Sequence, residues 1–392
     1  MSSHDQGRRR TWRRTAILSA LFALVCALVL SACGSSGSSS TSTPAKSTSA
    51  GATKAAASGA PAWCGKKAIT LGIQDGGGLN AWSKSSYDQV KIEAGKCPQI
   101  KKTLTVNAGF DPQKSVSGFR GMVAQGANAI VIIPDSGVCA ELPAMRQATA
   151  RKVVVVPWGA NGCGQAGKDY QDYVDFDPVA AGKLWTEWMG KQLNGKGNIL
   201  WLGGPAGNPV DAGEIKGMYS ALTQFPNLKV LGKVTEKEWP VTNWDPAQAQ
   251  KVSAALLAKY PKVDAIISSY GSVAEAGLKS IEKAGRKPPA IATLEQNQLA
   301  CDWKDRKGKA NEFALATISN RNWLGRIAVR KAVAAANGLP EPGKSIVDLP
   351  LVEDSTSADL QPVCNPSDPP EAYHSSDAPQ KEIDTLVYGK AG

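Results

Sequence analysis

The stretch that decides the fold opens Gly109-Phe110-Asp111-Pro112-Gln113-Lys114 and closes Gly126-Ala127-Asn128-Ala129-Ile130-Val131-Ile132-Ile133-Pro134-Asp135. Asp111 can cap a helix and Pro112 fits its first turn. Val116, Phe119 and Val123 then recur three and four residues apart, which gives that helix one apolar face. The uninterrupted run Ala129–Pro134 reads as a strand, with Asp135 at its carboxyl end.

The same unit repeats outward in both directions. Strands are predicted at Ala68–Ile73, Thr103–Asn107, Ala129–Pro134, Val153–Pro157, Asn198–Leu202, Val230–Val234, Ala265–Ser269, Ala290–Thr293 and Phe313–Ile318, with amphipathic stretches between them. Asp177-Pro178 and Asp245-Pro246 repeat the punctuation of Asp111-Pro112. Strand-helix units of this length imply right-handed crossovers and a largely parallel sheet, so the fold class is α/β. Nine strands exceed one small sheet, and the polar region Gly159–Asp172 divides them into two sets. We therefore expect two Rossmann-like lobes. Ligands of open α/β sheets bind beyond the carboxyl ends of the strands, so two lobes facing each other there would form a cleft.

The flanks carry an address. Of 392 residues, 45 are Lys or Arg and 34 are Asp or Glu, a formal charge of +11. Five of those Arg lie in residues 1–32 (Arg8, Arg9, Arg10, Arg13, Arg14), against Asp5 alone. The remainder holds no basic run interleaved with aromatics, so no nucleic-acid partner is expected. The basic start, the apolar run Ala16–Leu30 and the small residues after it have the layout of an export signal, too short for a comfortable membrane span. Leu30-Ser31-Ala32-Cys33-Gly34 is similar to a bacterial lipobox, which implies lipidation at Cys33 after removal of residues 1–32. Residues 33–62, rich in Ser, Thr, Ala and Gly, lack the apolar content to offset the entropy of ordering and read as a flexible tether.

Six cysteines remain beyond Cys26 and Cys33: Cys64, Cys97, Cys139, Cys163, Cys301 and Cys364. An even count in an exported chain points to disulfides, and no pair has zinc-site spacing, so no metal is expected. His374 is the sole histidine beyond the signal, which disfavours a Ser-His or Cys-His catalytic pair. The turn Asp75-Gly76-Gly77-Gly78-Leu79-Asn80 has neither G-x-G-x-x-G nor a P-loop Lys, so no phosphate cofactor is expected.

With these residues in view, the segment Gly109–Asp135 resembles the first-lobe signature of type I periplasmic solute-binding proteins of the ribose- and galactose-binding kind. Val174-Asp175-Phe176-Asp177 with Ala181-Gly182 is similar to the family's first interlobe crossing, and Ala276-Gly277-Leu278-Lys279-Ser280-Ile281 to a second-lobe helix. The resemblance covers most of Ala68 to Gly338. It implies three crossings, near Asp175–Asp177, Ser319–Asn320 and Leu349–Pro350. The first lobe would then hold residues 63–176 plus 320–349, and the second 177–319 plus 350–392 with the C-terminal tail. It further implies the binding component of an ABC importer, with permease subunits as partners, no enzymatic step and a sugar or polyol as solute. A sensory receptor, or a carrier of a non-sugar solute, uses the same fold. An enzyme pairing Asp175 with Asp177 is disfavoured because alternate strand residues face opposite ways, and a transcription regulator is disfavoured by the export signal. Topology then selects Cys64–Cys97, Cys139–Cys163 and Cys301–Cys364: the first helix returns beneath the sheet, Cys139 and Cys163 follow neighbouring strands, and Cys301 ties a second-lobe loop to the tail.

A sugar needs flat apolar faces and planar hydrogen-bonding groups. Trp82 and Trp158 follow predicted strands and are assigned to the first need, with Trp158 facing the open cleft and Trp244 a further wall. Trp185 and Trp188, at helical spacing, are assigned to the core. Asn80, Asp135, Asn161, Asn208, Asp211, Tyr270 and Glu295 fall just after strands or open the next helix and are assigned to the second need. The chain departs from the sugar-binding pattern at Trp158-Gly159-Ala160-Asn161, Asp211-Ala212-Gly213-Glu214 and Tyr270-Gly271, whereas Glu295 matches the position of a ligand-binding Asp.

Overall fold

The computed structural model describes residues 59–377 except 78, 79, 138 and 342. The assigned signal, Cys33, nearly all of the tether and the end of the tail lie outside the described residues.

The chain begins as strand-helix units: β1 (Ile69–Asp75), α1 (Ala81–Gly95), β2 (Ile100–Asn107), α2 (Pro112–Ala124), β3 (Ala129–Ile133), α3 (Leu142–Ala150) and β4 (Val154–Pro157). After the short β5 (Asp175–Phe176) come α4 (Pro178–Gln192), β6 (Lys196–Leu202), α5 (Pro209–Leu222), β7 (Asn227–Val230), α6 (Pro246–Lys259), β8 (Ala265–Ser268), α7 (Gly271–Lys283), β9 (Ala290–Leu294), α8 (Asn297–Arg306) and β10 (Leu315–Ile318). α9 (Leu324–Asn337), β11 (Ile346–Val347) and β12 (Leu351–Asp354) follow, and the tail reaches a helical turn at His374–Asp377.

Two sheets result. The first is parallel, in the order β2-β1-β3-β4. The second has the order β12-β10-β9-β8-β6-β7 and is parallel except for its edge strand β12, which runs antiparallel to β10. The chain passes from one sheet to the other through β5, after β10, and between β11 and β12. β5 and β11 pair in parallel, so two of these passages lie side by side. α9 follows a second-sheet strand yet packs on α1, β3 and β4 of the first. A buried ion pair between Arg330 and Glu93 joins α9 to α1, and Lys331 meets Asp172 at 2.9 Å.

Local chemistry explains the helix starts. Asp111, Asp177 and Asp245 each accept backbone N–H groups of the first helical turn, with Pro in the next position, which satisfies donors that a helix N-terminus leaves free. α4 and α5 pack almost backbone to backbone. A Cβ added at Gly182 would lie 1.9 Å from the Glu214 carbonyl oxygen, so only glycine permits the approach. Trp185 is fully buried and Trp188 is 5% exposed, both in the core.

Three features differ from the sequence reading. The strand predicted at Val230–Val234 lies at Asn227–Val230, because Gly232 takes φ +83° and turns the chain away from the sheet. β5, β11 and β12 are two to four residues long and present no periodicity. Trp158 is 2% exposed and points into the core, where its ring packs beside Gly325 of α9. The assignment of its ring to the open cleft is therefore corrected. The three disulfides are Cys64–Cys97, Cys139–Cys163 and Cys301–Cys364, the pairings that topology selected.

Candidate functional site

Loops at the carboxyl ends of strands from both sheets converge on one cleft. From the first sheet come Asn80, Trp82 and Ser83 after β1, Phe110 after β2, Asp135 after β3, and Gly159 and Ala160 after β4. The second contributes Asn208 and Val210 after β6, Trp244 ahead of α6, Ser269 and Tyr270 after β8, and Leu294 at the end of β9. Arg321, on the passage after β10, completes the wall. Four aromatic rings thus alternate with hydrogen-bonding groups. Phe110 and Trp244 approach to 6.3 Å across the cleft, tilted at 48°. About 30 Å³ between the walls is open to the centres of water-sized spheres, so the two walls stand close together.

Two of the rings are held from behind. The Trp82 indole N–H donates to the carbonyl of Asn320 at 2.8 Å, and its ring packs on Trp158 with centroids 6.1 Å apart. The Trp244 indole donates to Ser269 Oγ at 2.9 Å, and that hydroxyl donates to Asp211 at 2.9 Å. Asp211 also accepts the Gly204 N–H, is fully buried, and does not line the cleft. Glu295 likewise stands behind the wall: it accepts the N–H groups of Asn320 and Ser375, both at 2.9 Å. Asn161 accepts the Cys163 N–H and lines an adjoining recess shared with Phe110, Asp135 and Asn208.

Of the residues singled out in the sequence, Asn80, Trp82, Asp135, Asn208, Trp244 and Tyr270 come together on the cleft, whereas Trp158, Asp211 and Glu295 support it and Asn161 flanks it. Asn80 and Asn208 are also helix caps, accepting the N–H groups of Ser83 and Val210. Gly76 and Gly77 serve neighbours rather than empty space. A Cβ on Gly76 would fall 2.0 Å from Asp135 Oδ1, and one on Gly77 would fall 2.7 Å from the Phe110 ring.

The sequence reading missed Arg321 and Phe110. The Arg321 guanidinium lies 5.2 Å from the Trp82 ring centroid and 4.5 Å from that of Phe176, with Nη1 3.5 Å from the Gly159 carbonyl. Arg321, Phe110 and Trp244 all hold left-handed backbone, with φ of 60°, 60° and 53°. Such conformations are uncommon for these residue types and cluster at functional sites.

Around Arg321 the carboxyl groups are perturbed. Burial, with repulsion from Asp75 and Glu141, holds Asp135 well above the usual carboxylate range. Burial pushes Asp175 up to about 6 against the pull of Arg321 and its bond with Tyr173, and Asp211 up to about 7 against its bonds to Gly204 and Ser269. Glu214, buried beside Asp211, is also raised well above its ordinary value. Asp175 and Asp177 do not form a pair: the first bonds Tyr173 and the second caps α4. Among the described residues no group of three or more His, Cys, Asp or Glu could hold a metal ion.

Two α/β sheets with a shared cleft at their strand ends define a hinged binding protein. Residues 78–340 match the family model for the periplasmic binding protein domain, and the chain belongs to that family. It is 28% identical over 190 residues to a xylitol-binding protein of Mycolicibacterium smegmatis, a match covering 48% of this chain and 52% of that protein. The chain thus spans about half the length of that relative. It is 27% identical over 218 residues to a galactofuranose-binding protein of Escherichia coli, covering 54% of this chain and 67% of the other. Among solved structures, an ABC transporter solute-binding protein from Mycobacterium smegmatis with bound glycerol is similar at a TM-score of 0.64 and 19% identity, over 78% of this chain and 99% of that one. A Caulobacter myo-inositol-binding protein bound to myo-inositol matches at 0.64 and 19%, over 74% and 94%.

Proposed function

We propose that this protein is the exported, lipid-anchored solute-binding component of an ABC importer, and that it captures a neutral polyol or small sugar between its lobes. The observation that carries the reading is the alternation of aromatic faces with hydrogen-bonding groups on one narrow cleft. Trp82, Phe110, Trp244 and Tyr270 offer surfaces for C–H groups. Asn80, Asp135, Asn208 and Arg321 offer the partners that hydroxyl groups require once buried. The names of the similar proteins, xylitol- and galactofuranose-binding, support the same solute class.

Binding has no chemical step. The solute favours the closed arrangement because it contacts both lobes at once, and the hinge is the set of passages at β5, after β10 and before β12. Permease subunits would recognise the closed form. The lobes are assigned as residues 63–176 with 320–349, and 177–319 with 350–392. Leu30-Ser31-Ala32-Cys33 supports attachment through Cys33 at the outer face of the cytoplasmic membrane.

A thermal-shift screen tests the solute class. The true ligand at a hundred times its dissociation constant adds about 2.7 kcal/mol of stability. Polyols and pentoses should raise the melting temperature and amino acids should not; stabilisation by a charged amino acid alone would overturn the solute class. Cys33→Ser should release the protein from membranes, and an unchanged membrane fraction would remove the anchor.

A further inference from the structure

The tail beyond β12 is built into the rear of the cleft. Cys364 is bonded to Cys301 of α8, and from there the chain crosses the start of that helix. Asn297 Nδ2 donates to the carbonyl of Asn365 at 2.9 Å and to that of Pro369 at 3.1 Å, while the backbone N–H groups of Asn297 and Gln298 donate to Ala372 and Pro370. This docking delivers two side chains to the site. Tyr373 is 4% exposed, and its hydroxyl lies 3.4 Å from the hydroxyl of Tyr270, a cleft residue. Ser375 bonds the Glu295 carboxylate through both its N–H and its hydroxyl, and its Oγ lies 2.7 Å from Ser319 Oγ on the passage between lobes. Glu295 in turn accepts the N–H of Asn320, whose carbonyl accepts the indole N–H of Trp82. A continuous line of hydrogen bonds thus runs from the tail through the second lobe and the passage to a ring of the first lobe. Glu371 of the tail also lines the outer mouth, beside Tyr270 and Trp244.

We propose that the segment Asn365–Ser375 is part of the binding machinery, with Ser375 and Tyr373 acting as positioning residues: Ser375 sets the Trp82 ring through Glu295 and Asn320, and Tyr373 sets the Tyr270 hydroxyl. The consequence for affinity rests on the cleft being the solute site; the positioning itself does not. A buried carboxylate with its acceptors satisfied is rigid, whereas one stripped of a donor must rotate or take a proton. Removing the Ser375 hydroxyl therefore loosens the passage where the lobes hinge. Removing the Tyr373 hydroxyl takes away one of the groups that hold the Tyr270 hydroxyl, which also meets Ser272 and the Trp82 backbone.

Two readings on the full chain separate the outcomes. In ligand-free protein, the Trp82 indole ¹⁵N–¹H resonance, assigned with Trp82→Phe, should move in Ser375→Ala and stay in place in Lys287→Ala, a remote control. In calorimetric titrations with xylitol, myo-inositol or L-arabinose, whichever binds the wild type, Ser375→Ala and Tyr373→Phe should each weaken binding about three- to tenfold, the scale of one lost buried hydrogen bond. Their urea midpoints should stay close to wild type, because the disulfide and Asn297 still dock the tail. If none of the three solutes binds wild type, the solute class fails and the indole resonance alone decides the positioning. An unmoved Trp82 signal in Ser375→Ala overturns the proposal. So does a moved signal with affinity unchanged in both variants, or a loss of affinity matched by an equal loss of stability.

Discussion

Replacing Arg321 by Met isolates the charge at the centre of the cleft. Met keeps an unbranched stem between Trp82 and Phe176 and makes no new demand on the left-handed backbone at φ 60°. Two ring contacts disappear, each worth about 0.5–1 kcal/mol. The larger effect falls on the carboxyl groups, since Arg321 lowers the pKa of Asp135, Asp175, Asp211 and Glu214. These folded-state values already stand above the unfolded ones near 4, so between about pH 4 and the folded pKa the native state binds more protons than the unfolded chain and stability falls as pH rises. Removing the guanidinium pushes the folded values higher still. The added cost grows as pH rises through the folded values and is larger at pH 8, whereas at pH 5 Asp175, at about 6, and Asp211, at about 7, are already largely protonated. One further unit on one such group costs up to about 1.4 kcal/mol at pH 8. With the ring contacts, we expect a loss of about 2–4 kcal/mol at pH 8 and about 1–2 kcal/mol at pH 5. Urea unfolding of both proteins at the two pH values measures this. A loss at pH 5 equal to or greater than that at pH 8 would refute the electrostatic account.

Wild-type melting temperature should fall as pH rises from 5 to 8, because Asp175, Asp211 and Glu353, the last pushed up to about 7, must lose protons in place; a rise over that range in differential scanning calorimetry would contradict it. Trp158→Ala should cost about 3–5 kcal/mol of stability, as for a fully enclosed ring, and a loss under 1 kcal/mol by denaturant titration would place the ring outside the core. Gly182→Ala should cost about 1–3 kcal/mol or more through overpacking of α4 against α5, seen as a lower urea midpoint. Replacing Cys64 and Cys97, 33 positions apart, together by Ser should cost about 3–4 kcal/mol, mainly by freeing the unfolded chain; an unchanged melting temperature would show that the bond does not constrain that chain.

Much of the architecture was legible because buried parallel strands leave plain apolar runs. Ala129–Pro134 and Ala265–Ser269 needed only their length and flanking helices to be read, and Asp111, Asp177 and Asp245 marked helix starts through a capping bond that depends on neighbours in sequence. The short strands were illegible for the opposite reason. β5 and β11 pair with each other at the passages between sheets, and two residues carry no period. At the site, position after a strand located the cleft but not which way a side chain turns. Trp158 and Glu295 occupy the right places and point behind the wall. Asp211 likewise opens a helix at the cleft but is spent on Gly204 and Ser269. Arg321 escaped notice because it lies on a passage, three residues beyond β10, where the reading sought a hinge and not a contact. Phe110 carried a signal, an aromatic residue between a strand end and an Asp-Pro cap, that was read only for its place in a motif.

The left-handed backbone at Phe110, Trp244 and Arg321 divides the cleft into fixed and adjustable ground for evolution. At those three positions β-branched side chains are excluded by backbone sterics, whatever room the cleft offers. Variation there is steered toward glycine, asparagine or residues with an unbranched β-carbon, and most of the Val, Ile and Thr substitutions reachable elsewhere are closed off. Ile133, Ala160, Val210 and Leu294 face the same space without that restriction, and their apolar side chains hold no neighbour by a hydrogen bond, as Ser269 holds Trp244 and Asp211. Descendants with altered selectivity should therefore differ first at those four residues, and a mutational library aimed at retuning the cleft would be best spent there.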